Sequence, residues 1–121
     1  MNAGRCIAGV CLATALAACK ADRAGPPITG DARAGQAALQ AHDCGVCHRI
    51  PGVPGAVGLV GPPLAGFGNR IYITGRFPNT EAMLTRWIVD PPALAPSTAM
   101  PAVGVDQVDA RNMAAYLLSL R

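Results

Sequence analysis

The sequence predicts a small all-α domain of three main helices joined by long loops. Apolar or small residues recur at helical spacing in three stretches, within 31–43, 80–90 and 106–121. Each stretch opens on a residue suited to cap a helix: Asp31, Thr80 (or Asn79) and Asp106. The segments between them have no period and are broken by proline and glycine. Only Ile71 to Thr74 has strand character, and no clear partner accompanies it. At 121 residues the chain has room for one small domain.

The expected organisation has three parts. Residues 1–18 read as a leader: one charge by Arg5, then an apolar run from Cys6 to Ala18 that is too short for a membrane span. The run ends in Leu16-Ala17-Ala18-Cys19, which resembles a bacterial lipobox and implies cleavage before Cys19 and lipidation of its thiol. The alternative is an ordinary signal peptide cut after a site such as Ala15-Leu16-Ala17. Residues 19–30 form the lipidated cysteine and a tether, with Gly25-Pro26-Pro27 and no apolar period. Eleven residues reach at most roughly 35–40 Å, so the domain would stay near the bilayer. Several acyl chains would anchor it stably, whereas one would not. Residues 31–121 are the folded domain.

The first helix is expected over Asp31 to Asp43, with Ala34, Ala37, Ala38 and Ala41 as a small-residue face. Gly35 inside it costs about 1 kcal/mol relative to alanine, which close packing on another helix would offset; otherwise it frays the first turn. Arg49 to Asn79 is irregular, a length of loop that normally argues against a compact domain. The second helix carries Leu84, Trp87 and Ile88 on one face and stops near Asp90 because Pro91-Pro92 follow. Pro91 to Gly104 is again irregular. In the last helix Asp109 favours the positive end of the dipole and Arg121 the negative end, and Val108, Met113, Tyr116, Leu117 and Leu120 form an apolar stripe.

The chemistry is concentrated in Cys44-Gly45-Val46-Cys47-His48, the C-x-x-C-H signature of haem c attachment. Two intervening residues put both thiols on one side of a helical turn, where they can add across the two haem vinyl groups. The adjacent histidine then reaches the iron. A thioredoxin-type pair would need a βαβ pattern, which is absent from the sequence. A structural zinc site would need two more donors, and only His42 and His48 are at hand, both in the same short stretch. One covalent haem c is the expected cofactor. It also explains a thin core: two Phe, two Tyr and one Trp are few aromatic residues for a domain, and the macrocycle can supply the missing interior. The haem-free polypeptide is therefore expected to fold poorly.

Cysteine usage fits export. Cys6 and Cys11 leave with the leader, Cys19 takes lipid, and Cys44 and Cys47 take haem, so no thiol remains for a disulfide. Without the leader, Lys+Arg falls from 10 to 9 against 7 acids, about +2, which two haem propionates would mostly offset. There is no basic patch of the kind nucleic acid requires. No acid–base constellation suggests a small-molecule substrate or a catalytic site.

A short helix into C-x-x-C-H, a long loop, a middle helix, a Met-Pro dipeptide and a terminal helix with Tyr-Leu follow a familiar order. Over residues 30–121 the chain resembles a class I cytochrome c. The likeness rests on the haem motif and on Gly61-Pro62-Pro63-Leu64, Asn79-Thr80, Arg86-Trp87-Ile88, Asp90-Pro91, Met100-Pro101 and Ala115-Tyr116-Leu117. The middle portion is similar to haem c domains of bacterial terminal oxidase subunits. The resemblance implies the small cytochrome c fold, three main helices and long loops wrapped around the haem, with His48 and Met100 as axial ligands. Met83 and Met113, on predicted helices, fit apolar packing better. His42 is a rival that would have to cross the ring plane. The resemblance also implies that the Pro62 carbonyl accepts from the second ring nitrogen of His48, that Arg70 approaches a propionate unless it is a solvated loop charge, and that Thr98 bonds near a propionate. Trp87 stands where the family has a tyrosine near the methionine side, so that residue's hydrogen bond does not transfer. Gly35, Tyr116 and Leu117 match the crossing of the first and last helices. The lysine ring of the mitochondrial type is missing, since Lys20 is the only lysine.

The function expected on these grounds is a periplasm-facing monohaem carrier of single electrons in a respiratory chain, an electron-transfer protein rather than an enzyme. By resemblance its acceptor is a terminal oxidase. A fixed haem subunit of a respiratory or dehydrogenase complex is the alternative. A gas-binding haem sensor is a third reading, against which Met100 argues.

Overall fold

A computed structural model describes residues 25–121. The leader, Cys19 and the start of the tether lie outside the described residues. No helix among the described residues is long and apolar enough to cross a membrane.

The elements in order are α1 (Ala32–Ala41), α2 (Cys44–Cys47), a 3-10 turn at Phe67–Asn69, β1 (Tyr72–Ile73), β2 (Phe77–Pro78), α3 (Glu81–Val89), α4 (Pro91–Leu94) and α5 (Gln107–Ser119). The domain is all-α apart from the β1–β2 hairpin, whose strands pair antiparallel as Tyr72↔Pro78 and Ile73↔Phe77.

Caps set the main helix starts. The Asp31 carboxylate accepts from the amides of Arg33 and Ala34, Thr80 Oγ1 from that of Met83, and Asp106 from those of Val108 and Asp109. Four elements, the 3-10 turn, β1, β2 and α4, lie in stretches expected to be largely irregular. Asp90 ends α3 and also caps α4, accepting from the Ala93 amide, with Pro91 in the first helical position where its missing N–H costs nothing. Thr74 and Gly75 both have positive φ and turn β1 back onto β2, so the strand at Ile71 to Thr74 does have a partner, one only two residues long.

The core lies where α5 packs on α1 and α3. Ala110, Met113, Ala114, Leu117 and Leu118 of α5 are buried with Ala38 and Leu39 of α1 and Leu84, Trp87 and Ile88 of α3. The expected stripes need correcting. Val108 faces solvent, and Ala110, Ala114 and Ala115 share the interior face of α5 with Met113, Leu117 and Leu118. On α1 the buried residues are Gly35, Ala38 and Leu39, while Ala34, Ala37 and Ala41 are exposed. The reason is the closeness of the α1–α5 crossing: a Cβ on Gly35 would overlap the backbone carbonyl of Asn112. Small residues on both helices permit that approach, and its packing offsets the helical cost of Gly35. Arg121 lies just past the end of α5, where its guanidinium donates to the Gly68 carbonyl at 2.8 Å.

The end of the expected tether is fixed to the domain. Glu81, at the start of α3, accepts from the amides of Thr29 and Gly30 and from the Thr29 hydroxyl, at 2.7–3.0 Å. Asn112 of α5 accepts from the Asp31 amide at 2.9 Å.

Candidate haem site

The thiol pair is positioned by a break in the first helix. His42 ends α1, and Asp43 adopts a left-handed conformation (φ 55°), which Asp tolerates better than most residues. The chain then makes one further turn, α2, with Cys44 and Cys47 three residues apart and so on the same side. Both are free, half-buried thiols. Burial pushes the Cys44 thiol above its ordinary value, against a backbone hydrogen bond that lowers it; Asp43 and Cys47 add to the rise. Cys44 is thus held as the neutral thiol near pH 7. Among the described residues no group of three or more His, Cys, Asp and Glu gathers here, so a zinc site lacks its donors.

After Cys47 the backbone becomes extended at His48 (φ −111°, ψ 144°), which takes the imidazole off the helical turn. His48 Nδ1 lies 2.8 Å from the Pro62 carbonyl oxygen. A carbonyl only accepts, so Nδ1 carries the proton and donates, and Nε2 keeps its lone pair free. Three glycines let the following loop lie against the motif. The Gly58 amide donates to the Gly45 carbonyl at 3.0 Å and the Gly61 amide to the Cys47 carbonyl at 2.7 Å. A Cβ would meet the Ala56 backbone at Gly45, the Val46 carbonyl at Gly58 and the imidazole ring at Gly61. No local pattern marks these close approaches beyond a glycine at every third position from 55 to 61.

Met100 is half-buried against the core in the loop between α4 and α5. Its amide donates to Thr98 Oγ1 at 3.2 Å, so the Thr98 hydroxyl is turned onto the backbone of Met100. Met113 is fully buried between helices and Met83 partly so. Trp87 is buried, with its ring 6.1 Å from that of Phe77. His42 faces α5, its Nε2 3.2 Å from Asp109 Oδ2.

Arg70 is not freely solvated. Its guanidinium donates to the Pro63 carbonyl at 2.6 Å and lies 5.0 Å from the centre of the Phe67 ring. Among the described residues no carboxylate lies within ion-pair distance of it. Asn79 fixes the same loop, donating through Nδ2 to the carbonyls of Phe67 and Arg70, both at 3.0 Å, while its Oδ1 is buried without a partner. Its sequence position suggested only a helix cap.

A haem held by two thioethers needs two free thiols on one side of a turn and an imidazole nitrogen with a free lone pair. Cys44, Cys47 and His48 fit those requirements. An Arg70 guanidinium without a carboxylate partner among the described residues and a half-buried thioether at Met100 are compatible with the rest.

Comparison with known proteins agrees with this chemistry. Residues 32–121 match the protein family described as Cytochrome c. The chain is also 33% identical over 91 residues to cytochrome c oxidase subunit 2 from Alkalihalophilus pseudofirmus. That alignment takes in 74% of this chain but 26% of the relative, so the chain spans about a quarter of the relative's length.

Proposed function

This chain belongs to the cytochrome c family, and from that premise we propose that it is a monohaem carrier of single electrons in a respiratory chain, with His48 and Met100 as axial ligands. The observation that supports this best is the imidazole of His48: its Nδ1 is committed to Pro62, and its Nε2 is left as a donor beside two free thiols. Haem c bound there supplies a one-electron ferric–ferrous couple.

The chain's own residues do the rest. Cys44 and Cys47 would hold the ring through thioether bonds. Pro62 fixes the tautomer and orientation of His48 and raises its basicity. Met100 offers a soft sulfur that favours ferrous iron and raises the potential. Thr98 holds the backbone of Met100 in place, Trp87 fills the interior against Phe77, and Arg70 would meet a propionate. His48 and Met100 would hold the iron in both oxidation states, so that little of the protein would rearrange on transfer.

In this reading the domain is exported and held in the periplasm by a lipid on Cys19, near its partners, which raises their effective concentration. A terminal oxidase is the proposed acceptor, in keeping with the likeness to an oxidase subunit. That same likeness, to part of a subunit, favours a fixed subunit of an oxidase complex as the second reading.

Optical spectra of the mature holoprotein, ferric and ferrous, with and without carbon monoxide, test the proposal. The expected result is the long-wavelength band of sulfur-ligated ferric haem and no binding of carbon monoxide. Absence of that band with rapid binding would mean an open distal position and would overturn the carrier reading.

A further inference from the structure

We propose that the outer face of the β1–β2 hairpin is the surface on which the domain rests on an anionic phospholipid bilayer; the proposal rests on the reading that Cys19 carries the anchor. The hairpin has two unlike faces. Ile73 and Phe77 pair across it on the inner side, where Ile73 is buried and Phe77 packs on the core beside Trp87. Tyr72 and Pro78 pair on the other side and are exposed. Ile71, just before them, is 75% exposed, and Tyr72 54%. The solvent side of a half-buried antiparallel pair is ordinarily polar. This one presents an aliphatic side chain, a phenol and a proline, with the exposed Arg76 at the turn, its guanidinium 5.6 Å from the centre of the Phe77 ring. Apolar residues interleaved with tyrosine and arginine compose surfaces that sit between lipid headgroups and acyl chains.

Charge selects an anionic lipid. No Asp or Glu occurs from 44 to 80, and Glu81 is turned onto the amides of Thr29 and Gly30. Among the described residues Arg76 has no carboxylate within ion-pair distance, and a guanidinium matches a phosphate group with two parallel hydrogen bonds. The N-terminal segment selects this side of the domain. Asn79 follows Pro78, and its amide donates to the Ile71 carbonyl at 2.9 Å. With Thr80 and Glu81 it lines a cavity whose other walls include Gly25 to Ile28. The segment therefore leaves the domain beside the base of the hairpin. Five residues, 20–24, separate Gly25 from Cys19, a stretch of at most about 20 Å, whereas a domain of this size is about 30 Å across. A lipid on Cys19 keeps the exit side toward the bilayer. Lys20 and Arg23 outnumber Asp22 in that stretch and add to the attraction. The exposed aliphatic residues at 57–60 share neither property. Residues 50–66 hold no Lys, Arg or aromatic residue, and that loop is bonded to the haem-attachment turn rather than to the exit.

Hydroxyl-radical footprinting of the mature holoprotein anchored on vesicles tests this. Cleavage after Arg70 and Arg76 isolates residues 71–76 in one fragment. On vesicles of phosphatidylglycerol and phosphatidylethanolamine that fragment should oxidise about threefold more slowly than on phosphatidylcholine, because inserted side chains lose most of their contact with water. The fragment 50–70 should oxidise alike on both. Arg76→Glu, with an unaltered optical spectrum, should abolish the difference in the fragment that contains 71–76. Protection that is absent, equal on both lipids or confined to another fragment would overturn the proposal, as would an Arg76→Glu variant protected like the parent. So would protection that grows with the density of protein on the vesicle, since the face would then meet a second copy. Intact mass of the same preparation separates the two claims. Lack of acyl chains on Cys19 would sink the native anchor. The footprint would still report on the face, because Cys19, the one cysteine after the leader outside the haem motif, can be coupled to a maleimide phospholipid.

Discussion

The imidazole of His48 is held from two sides, by the Pro62 carbonyl on Nδ1 and by the bare Cα of Gly61 against its ring. The first restraint sets the tautomer; the second leaves no room for a methyl group. Gly61→Ala should therefore shift the ring and lower holoprotein stability by about 1–3 kcal/mol, the usual range for overpacking. Guanidinium denaturation followed at the haem absorbance checks this, with near-parental stability as the contrary result. At this scale the turn that brings Cys44 and Cys47 to one side and His48 next to them was legible in the sequence, because the spacing is local. Asn79 and the glycines at 45, 58 and 61 were not, since what each one meets lies nine or more residues away and no local pattern encodes it. Thr98 shows another limit: its hydroxyl accepts from the Met100 amide, two residues on, a contact that a resemblance based on propionate bonding does not suggest.

Glu81 links two elements that the sequence keeps apart, the end of the N-terminal segment and the first turn of α3. Burial would raise its carboxyl, but the amides of Gly30 and Thr29, the Thr29 hydroxyl and the charge of Arg111 outweigh it and hold the group below its ordinary value. A group depressed in the folded state stabilises it fully above its unfolded value, and the contribution is lost as the pH falls through the folded one. Protection of the Thr29 and Gly30 amides should thus drop in a step at acidic pH. In Glu81→Gln it should be weak at all pH and show no such step; hydrogen exchange by NMR distinguishes the two, and an identical acid step in the variant would contradict the clasp. The three long helices were legible because an N-cap and a period of 3.6 are local signals. The α4 turn was hidden by reading Pro91-Pro92 only as a stop, although Asp90 before them is also a start. The hairpin was hidden because strands of two residues show no alternation. Val108 fits the helical stripe by spacing yet faces solvent, while Met113 and Leu117 of the same stripe are buried beside Ala110, Ala114 and Ala115.

For the molecule as a whole, the contacts among α1, α3 and α5 give a small core rich in alanine, with few aromatic residues to enlarge it. Loops make up much of the remainder, and several of their aliphatic residues stay exposed. Such a polypeptide buries too little apolar surface to offset its ordering entropy by itself. Folding is accordingly expected to depend on the prosthetic group. The Cys44→Ala/Cys47→Ala chain, which cannot form thioethers, should lack a cooperative thermal transition and near-ultraviolet circular dichroism, and the holoprotein should show both. Cooperative melting of the double variant would mean that the protein core suffices. The overall order of helices and loops was readable because the spacing of the motifs fixes it; how tightly the loop from 56 to 61 lies on α2 was not, because that depends on approach distances between backbones. The central claim is that one haem is ligated by His48 and Met100 and exchanges single electrons. A mediated redox titration of the holoprotein and of Met100→Ala, followed at the haem absorbance, tests it most directly. One single-electron transition is expected in the parent. In the variant the thioether-bound haem is retained, methionine ligation is lost and the potential falls; the same spectrum and potential in both proteins would contradict it.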